Sequence, residues 1–332
     1  MGAPLDVVAV GNALVDVIAL ESDEFLVEHG LVKGSMTLVD ERRALDLYAA
    51  MRPQVEASGG SAANTMAGLV SLGGRGGFVG RVRDDHLGQV FARDLDAVGV
   101  EVSVAPADAG PGTGCSLIVV TPDGERTMST LLGAACMLGP DDVDERFVAR
   151  AEITYLEGYL FDHEAAGEAF RKAAGAAHAA GRRVALSLSD SFCVERFQDG
   201  FRALVGGIVD ILFGNDAELC LLYDTDDVEH ALAAAARTTD IVVVTRGAAG
   251  AYVSAGGVRF EVAAAPVADV VDTTGAGDLF ASGFLFGITR GFEVGVAARL
   301  GALAAAEVIA QLGARPQAPL ASLGDRLRVP FP

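Results

Sequence analysis

Short apolar runs that end in glycine or a polar turn alternate with stretches of helical period along most of the chain. LDVVAVG (5–11), GGFVGRV (76–82), ITYLEGYL (153–160), RVALSLS (183–189), VDILFGN (209–215) and IVVVTRG (241–247) have the length and near-continuous apolar character of buried strands. ERRALDLYAAM (41–51), DDHLGQVFARDLDAVGV (84–100) and EAAGEAFRKAAGAAHAAG (164–181) place apolar residues at helical spacing. Shorter helices are predicted at FCVERFQDGFRALVG, DAELCLLY and VEHALAAAART, and a hairpin over 251–263. Two Ala/Gly-rich helices follow the turn VDTTGAGD and reach about residue 312. This alternation predicts an α/β fold with a mostly parallel sheet covered on both faces.

Some stretches break the rhythm. Residues 14–20 and SMTLVD (35–40) are short strand candidates separated by polar turns. TGCSLIVVTPDGERTMSTLLGAA (113–135) alternates like a hairpin turning at Thr121-Pro122-Asp123-Gly124. These strands read as a small β element, residues 14–41 and 101–131, inserted into a large domain made of 1–13, 42–100 and 132–332.

Composition narrows the function. A chain of 332 residues suffices for one large α/β domain or two unequal ones. Trp is absent, aromatics are scarce, and abundant Ala and Gly suit tight packing of helices on a sheet. The formal charge of −20 argues against nucleic acid or an anionic membrane as partner. A small anionic ligand is not excluded, because it needs only a local positive field. Cys115, Cys136, Cys193 and Cys220 are scattered and form no CxxC pair, as expected of reduced thiols. His29, His86, His163, His178 and His230 show no metal-binding spacing. The start, MGAPLDVVAVGN, lacks a basic segment followed by a long apolar one, and no apolar run reaches membrane-spanning length. The expectation is a soluble, cytoplasmic protein with a mildly Pro-rich end. Lys33 and Lys172 are the only lysines, and neither stands in a GxxxxGK[ST] pattern. A nucleoside triphosphate would therefore be bound without a Walker lysine.

Four stretches follow predicted strands or open predicted helices, where ligands gather in α/β sheets. In GNALVD (11–16), Asn12 and Asp16 are spaced to grip a vicinal diol, or simply to form a turn and cap. In SGGSAANT (58–65), Gly59 and Gly60 allow close backbone approach and Asn64 can meet a ligand hydroxyl; Ser61 reads equally well as an N-cap. In GNDAE (214–218), Asn215 and Glu218 can hold water on Mg2+, or form a capping box of the same spacing. In VDTTGAGD (271–278), Gly275, Ala276 and Gly277 present successive N–H groups at a helix start, a cradle for a phosphoryl group. Asp278 beside that cradle can take the proton of an attacking hydroxyl, or act as an N-cap. A carboxylate there repels phosphate, so positive charge must compensate. Arg126, at the predicted hairpin tip, and Arg246, after a predicted strand, are the candidates.

The chain resembles the ribokinase/PfkB family of carbohydrate and nucleoside kinases over nearly its whole length. Residues 59–95 look like its N-terminal signature and DTTGAGDLFASGFL (272–285) like its C-terminal one, with NxxE at 215–218 between them. The resemblance implies a three-layer α/β/α domain with a mostly parallel central sheet and a small β-sheet lid. It implies ATP-dependent phosphorylation of a primary hydroxyl with Mg2+. Asp278 matches the family's catalytic base, and Gly275, Ala276 and Gly277 its anion hole. Asp16, Gly59, Gly60 and Asn64 match sugar-binding positions, and Asn215 and Glu218 the Mg2+ and phosphate region. Asp272 and Thr274 match positions that hold a monovalent cation in many members, so potassium activation is an expectation. Thr245, Arg246, Gly247 and Thr274 are assigned with Gly275 and Gly277 to the nucleotide. Lids in this family stand free or pair between subunits, which leaves monomer and homodimer open.

GNALVD is closer to the GNxLxD opening of adenosine kinases than to that of ribokinases or fructokinases. An adenosine-type nucleoside kinase is the leading expectation, with a sugar kinase as alternative. A non-catalytic binding protein on the same fold is a rival of another class. It would have little need to keep Asp278 together with the glycine cradle. A dehydrogenase is set aside, because GNALVD stands where GxGxxG would be required.

Overall fold

The structure, a computed structural model, describes residues 2–162, 164–323 and 326. His163 and the end of the chain from 327 to 332, both named above, lie outside the described residues. In chain order the strands are β1 (Leu5–Val10), β2 (Leu14–Leu20), β3 (Met36–Leu38), β4 (Val55–Gly59), β5 (Gly76–Arg83), β6 (Glu101–Ala107) and β7 (Gly114–Val120). They continue as β8 (Arg126–Leu131), β9 (Ala151–Glu157), β10 (Arg183–Ser187), β11 (Ile211–Asn215), β12 (Ile241–Thr245), β13 (Ala251–Ala255) and β14 (Val258–Val262).

Among the described residues they form two sheets. The nine-stranded sheet has the order β14-β13-β12-β11-β10-β9-β1-β5-β6. It is parallel from β12 to β6, and β13 and β14 add an antiparallel edge. β1 is buried at every residue. Val7 and Ala9 join the core on one face, and Val8 and Val10 the core on the other. A strand covered on both sides can be apolar throughout, which is why LDVVAV shows no alternation. The helices Ala276–Thr289 and Val294–Ile309 pack closely through small residues: a Cβ on Gly283 would lie 2.8 Å from Gly301 Cα.

The five-stranded sheet has the order β3-β8-β7-β2-β4. Two strands are not where the sequence placed them. The sequence reading assigns 101–131 to the small β element, but β6 (101–107) pairs in parallel with β5 at the edge of the large sheet. Its EVSVAPA pattern alternates because an edge strand is covered incompletely. Conversely, β4, within the 42–100 segment assigned to the large domain, pairs antiparallel with β2 in the small sheet. That register sets Leu14 opposite Gly59 and Asp16 opposite Ala57. The glycine turn at 59–60 thus begins as the end of a strand.

The candidate site lies where the topology dictates. From β1 the chain runs outward to β5 and β6, then crosses to β9 on the other side of β1. The crevice at the carboxyl ends of β1 and β9 is therefore a topological switch point.

Candidate active site

Two cavities open at the carboxyl ends of the parallel strands. The first, of about 490 Å3, lies between the large sheet's strand ends and the small sheet. Leu14, Asp16, Ile118, Arg126 and Met128 reach it from the small sheet. The second, of about 650 Å3, is mainly apolar, with Ala264, Pro266, Val267, Val270, Ala302 and Ile309 in its walls. The two share Thr245, Thr273, Ala276, Gly277 and Phe280, so they meet at the VDTTGAGD turn.

Gly275 is the N-cap of the Ala276–Thr289 helix, with φ of 79°. Asp278 is thus the third helical residue and not an N-cap, and the helix starts two residues earlier than the sequence suggests. Its side chain reaches across the cavity floor to the Ser61–Ser71 helix. Ser61 Oγ donates to Asp278 Oδ1 at 2.6 Å, and Asn64 Nδ2 approaches Oδ2 at 3.4 Å. Gly60, at φ of 93°, takes the N-cap position expected of Ser61 and frees that hydroxyl for Asp278. Burial raises the Asp278 pKa to about 6, against the bonds from Ser61 and Asn64 and the charge of Arg315; Asp16 adds to the rise. Asp16 is likewise pushed up to about 6 by burial, while Arg315 and Arg126 pull it down. Gly59 makes room for that carboxylate, since a Cβ there would lie 2.4 Å from Asp16 Oδ1.

Asn12 does not line the cavity. It is 2 % exposed, and its Nδ2 donates to Glu157 Oε1 at 2.8 Å. The expected diol grip by Asn12 with Asp16 is corrected accordingly: Asn12 turns toward a buried carboxylate at the end of β9. Glu157 Oε2 accepts from Ala62 N–H at 2.9 Å and so anchors the start of the Ser61–Ser71 helix. Burial lifts its pKa to about 7, against the bonds from Ala62 and Asn12. The sequence reading passes over Glu157, although a carboxylate ending the apolar run ITYLE was a usable signal.

Asn215 and Glu218 both line the first cavity and form the capping box. Asn215 Oδ1 accepts from Glu218 N–H at 2.8 Å, and the Glu218 carboxylate accepts from Asn215 N–H and Nδ2 at 3.0 and 2.6 Å. Burial raises Glu218 to about 7. Among the described residues, no group of three or more His, Cys, Asp and Glu is placed to hold a metal ion.

Arg126 lines the cavity from the start of β8, and its Nη1 is 3.4 Å from Asp272 Oδ2. This pair ties the small sheet to the VDTTGAGD turn. Asp272 also accepts from the N–H groups of Thr274 and Gly313, both at 2.9 Å. Burial would raise its pKa, but these bonds and Arg126 hold it below the ordinary value. Thr245 lines both cavities and Gly247 the second. Arg246 lines neither: its guanidinium lies 4.2 Å from the centre of the Tyr252 ring, so the assignment of Arg246 to the nucleotide is corrected. The arginine the sequence reading missed is Arg315. It donates from Nε to Asn64 Oδ1 at 3.0 Å and from Nη1 to Ser58 Oγ at 2.8 Å. Nothing in the LGARP stretch marks it.

Removing Arg126 from the latch has a measurable consequence. Arg126→Ala is expected to lower kcat/KM for the acceptor about tenfold or more, since a charged donor facing the site is lost. Steady-state kinetics check it; parental kcat and KM would take Arg126 out of the site.

Comparison with known proteins matches this architecture. The description "pfkB family carbohydrate kinase" fits residues 36–321. The solved adenosine kinase from Sinorhizobium meliloti is 49 % identical, with 98 % of this chain and 99 % of that chain covered and a TM-score of 0.88. A solved "probable sugar kinase" from Rhizobium etli is 47 % identical over the same shares of the two chains, with a TM-score of 0.89. An ATP-dependent ribose-1-phosphate kinase of Halopiger xanaduensis is 33 % identical over 266 residues, 77 % of this chain and 82 % of the relative. The chain belongs to the pfkB family of carbohydrate kinases, and it is a phosphotransferase with a hydroxyl acceptor.

Proposed function

We propose that the protein transfers the γ-phosphoryl group of ATP to the 5′-hydroxyl of adenosine or a related nucleoside. The observation that carries this reading is the meeting of the two cavities at Ala276 and Gly277, with the Asp278 carboxylate on the first cavity's side. The apolar second cavity fits a purine, and the turn between the cavities fits phosphates. Gly277 has nothing within 4 Å of where a Cβ would stand, so its backbone is open to a ligand. ATP, when bound, supplies the phosphoryl group, and ADP leaves. Asp278 takes the proton of the acceptor hydroxyl as that oxygen bonds to phosphorus. The N–H groups of Gly275 and Gly277, the helix dipole and Arg126 oppose the negative charge of the transferring group, while the Ala276 N–H donates to the Thr273 carbonyl at 3.2 Å. Asp16 and Asn64 hold the acceptor's other hydroxyls.

Asn215 and Glu218 fit a Mg2+ held through water, because Glu218 faces the cavity while its oxygens already accept from Asn215. Asp272 and Thr274 fit a monovalent cation poorly. Arg126 already sets a positive charge 3.4 Å from Asp272 Oδ2, which opposes a cation there.

The nucleoside reading rests on the small-sheet wall. Leu14, Ile118 and Met128 offer the acceptor an apolar face, suited to a base. The Ser116 and Thr130 hydroxyls on that wall pair with each other at 3.1 Å. A coupled ATP-consumption screen with adenosine, other nucleosides, ribose and fructose tests it. Adenosine is expected to give the highest kcat/KM. Turnover of a free sugar with none of adenosine would overturn the nucleoside reading in favour of a sugar kinase.

The pH dependence follows from the same carboxylates. Asp278 must be ionised to accept a proton, and Asp16 must be ionised to bind hydroxyl hydrogens. With both raised to about 6, kcat/KM is expected to fall as the pH drops through 6. Because both must be ionised, the acid limb approaches twice the slope of a single group, and the repulsion between them spreads it over two steps. A flat profile from neutral pH to well below 6 would remove Asp278 as the base.

A further inference from the structure

The segment after the Val294–Ile309 helix crosses the whole site. Gly313 N–H is bound to Asp272, and a Cβ on Gly275 would lie 2.7 Å from Ala314 Cα. The next residue, Arg315, contacts the acceptor side. Its Nη1 donates to Ser58 Oγ and lies 3.4 Å from Asp94 Oδ2. Ser58 in turn donates from N–H and Oγ to the same Asp94 oxygen, at 2.8 and 2.5 Å. Three consecutive residues therefore join the phosphate-side turn to β4, to Asn64 and to the His86–Ala97 helix.

The bond to Asn64 has a directional effect. An amide side chain can be turned over, exchanging its oxygen for its nitrogen. Arg315 Nε is a donor only, so it fixes Oδ1 toward itself and leaves Nδ2 facing Asp278 Oδ2. With the amide turned over, an oxygen would face the carboxylate and repel it. We propose that Arg315 is a positioning residue for the transfer: it sets the Asn64 amide as a donor to Asp278 and holds a positive charge behind the Asp16–Asp278 pair.

The groups around this pair come from every neighbouring element. Asp16 faces Asp278 from β2, and Glu157 and Tyr155 from β9, with Tyr159 just beyond it. Asp94 faces Arg315 from the His86–Ala97 helix. Arg126 lowers Asp16 from the small sheet. Burial raises both tyrosines, which therefore stay neutral. Arg315 is the cation that acts on Asp278 and on Asp16 together.

This proposal rests on the reading of Asp278 as base, and the test separates the two. Protein labelled with 13C at the aspartate carboxyl carbons is titrated by NMR, with the Asp278 signal assigned by its loss in Asp278→Asn. Arg315→Met is expected to raise the Asp278 midpoint by about one pH unit, since a nearby opposite charge is removed. Arg315→Lys is expected to keep the midpoint near the parent's, because the charge remains. In both variants kcat is expected to fall about tenfold, since one ammonium cannot replace the planar fork that serves Asn64 and Ser58. A folded Arg315→Met protein with the parental midpoint overturns the proposal whatever its rate. Should that variant not fold, Arg315→Lys decides: lowered kcat at an unmoved midpoint supports the role, and parental kcat overturns it. Turnover surviving in Asp278→Asn would sink the base reading instead, with the midpoint comparison still deciding what Arg315 does to that carboxylate.

Discussion

Asp278→Asn is expected to lower kcat about a thousandfold while leaving ATP binding intact, the loss that follows when a positioned general base is removed. The amide has nearly the size of the carboxylate and can still accept from Ser61 Oγ at the Oδ1 position. Its nitrogen would then face Asn64 Nδ2, which Arg315 prevents from turning over. One bond is therefore lost, and the acceptor's proton has no place to go. The same substitution is expected to raise the unfolding temperature near neutral pH. Burial lifts the Asp278 pKa from 3.8 to about 6, so the ionised carboxylate destabilises the folded state above that pH. Between about pH 4 and 6 the folded protein binds a proton that the unfolded chain does not, and the penalty fades as the pH falls. The variant's advantage should be about 1 kcal/mol after the lost bond, and it should shrink through that window. Steady-state kinetics and thermal unfolding at several pH values check both halves. Near-normal turnover would sink the assignment of the base. A variant less stable than its parent at neutral pH would show that the charge is better accommodated than its surroundings indicate.

Slow catalysis with gained stability is the expected mark of a group placed for chemistry and not for folding. The residues near Asp278 divide on the same line. Ser61, Asn64 and Arg315 draw the carboxylate toward its charged form, and burial with Asp16 draws it toward the protonated one. The result is a group ionised at neutral pH yet basic enough to take a proton.

How legible this was in the sequence depended on range. β1 could be read from LDVVAV because a strand covered on both faces is apolar at every position. The small sheet could be suspected because 14–20 and 113–131 break the strand–helix rhythm. An edge strand alternates in the same way a lid strand does, so β6 reads as part of the small sheet, and VEASG is too short and ends in glycine, so its sequence does not mark β4. Within the site, Gly275 to Asp278 are consecutive, so a local motif brings them together. Asn12 with Glu157 and Asn64 with Arg315 are separated by 145 and 251 positions. No spacing rule reaches across such distances, and only the parallel sheet and the return of the chain after the last helix make those pairs. Arg246 shows the converse. Its place after a strand suggested the site, but the ring of Tyr252, on the neighbouring antiparallel strand, takes the guanidinium.

Gly275→Ala and Gly277→Ala are expected to fail in opposite ways, although the residues are two apart in one cradle. Gly275 has φ of 79°, where an L side chain is strained, and its Cβ would lie 2.7 Å from both Cα and the carbonyl oxygen of Ala314. Those are backbone atoms and cannot swing aside. Moving them would pull Gly313 from Asp272 and Arg315 from Asn64. Left-handed strain and the clash together are expected to cost about 3 kcal/mol or more, with kcat reduced at least about a hundredfold as the N–H groups lose their aim. Gly277 is the second residue of the helix, with nothing within 4 Å of where its Cβ would stand. Gly277→Ala should therefore fold as well as the parent or slightly better, since alanine favours a helix over glycine. Its methyl group would project where the two cavities meet, into the space assigned to the transferring phosphoryl group. Activity should fall by a similar factor with the unfolding temperature unchanged. Denaturant unfolding and kcat measured on both variants give four numbers. A stable, active Gly275→Ala would refute the packing argument, and a fully active Gly277→Ala would refute the placement of the phosphoryl group at this turn.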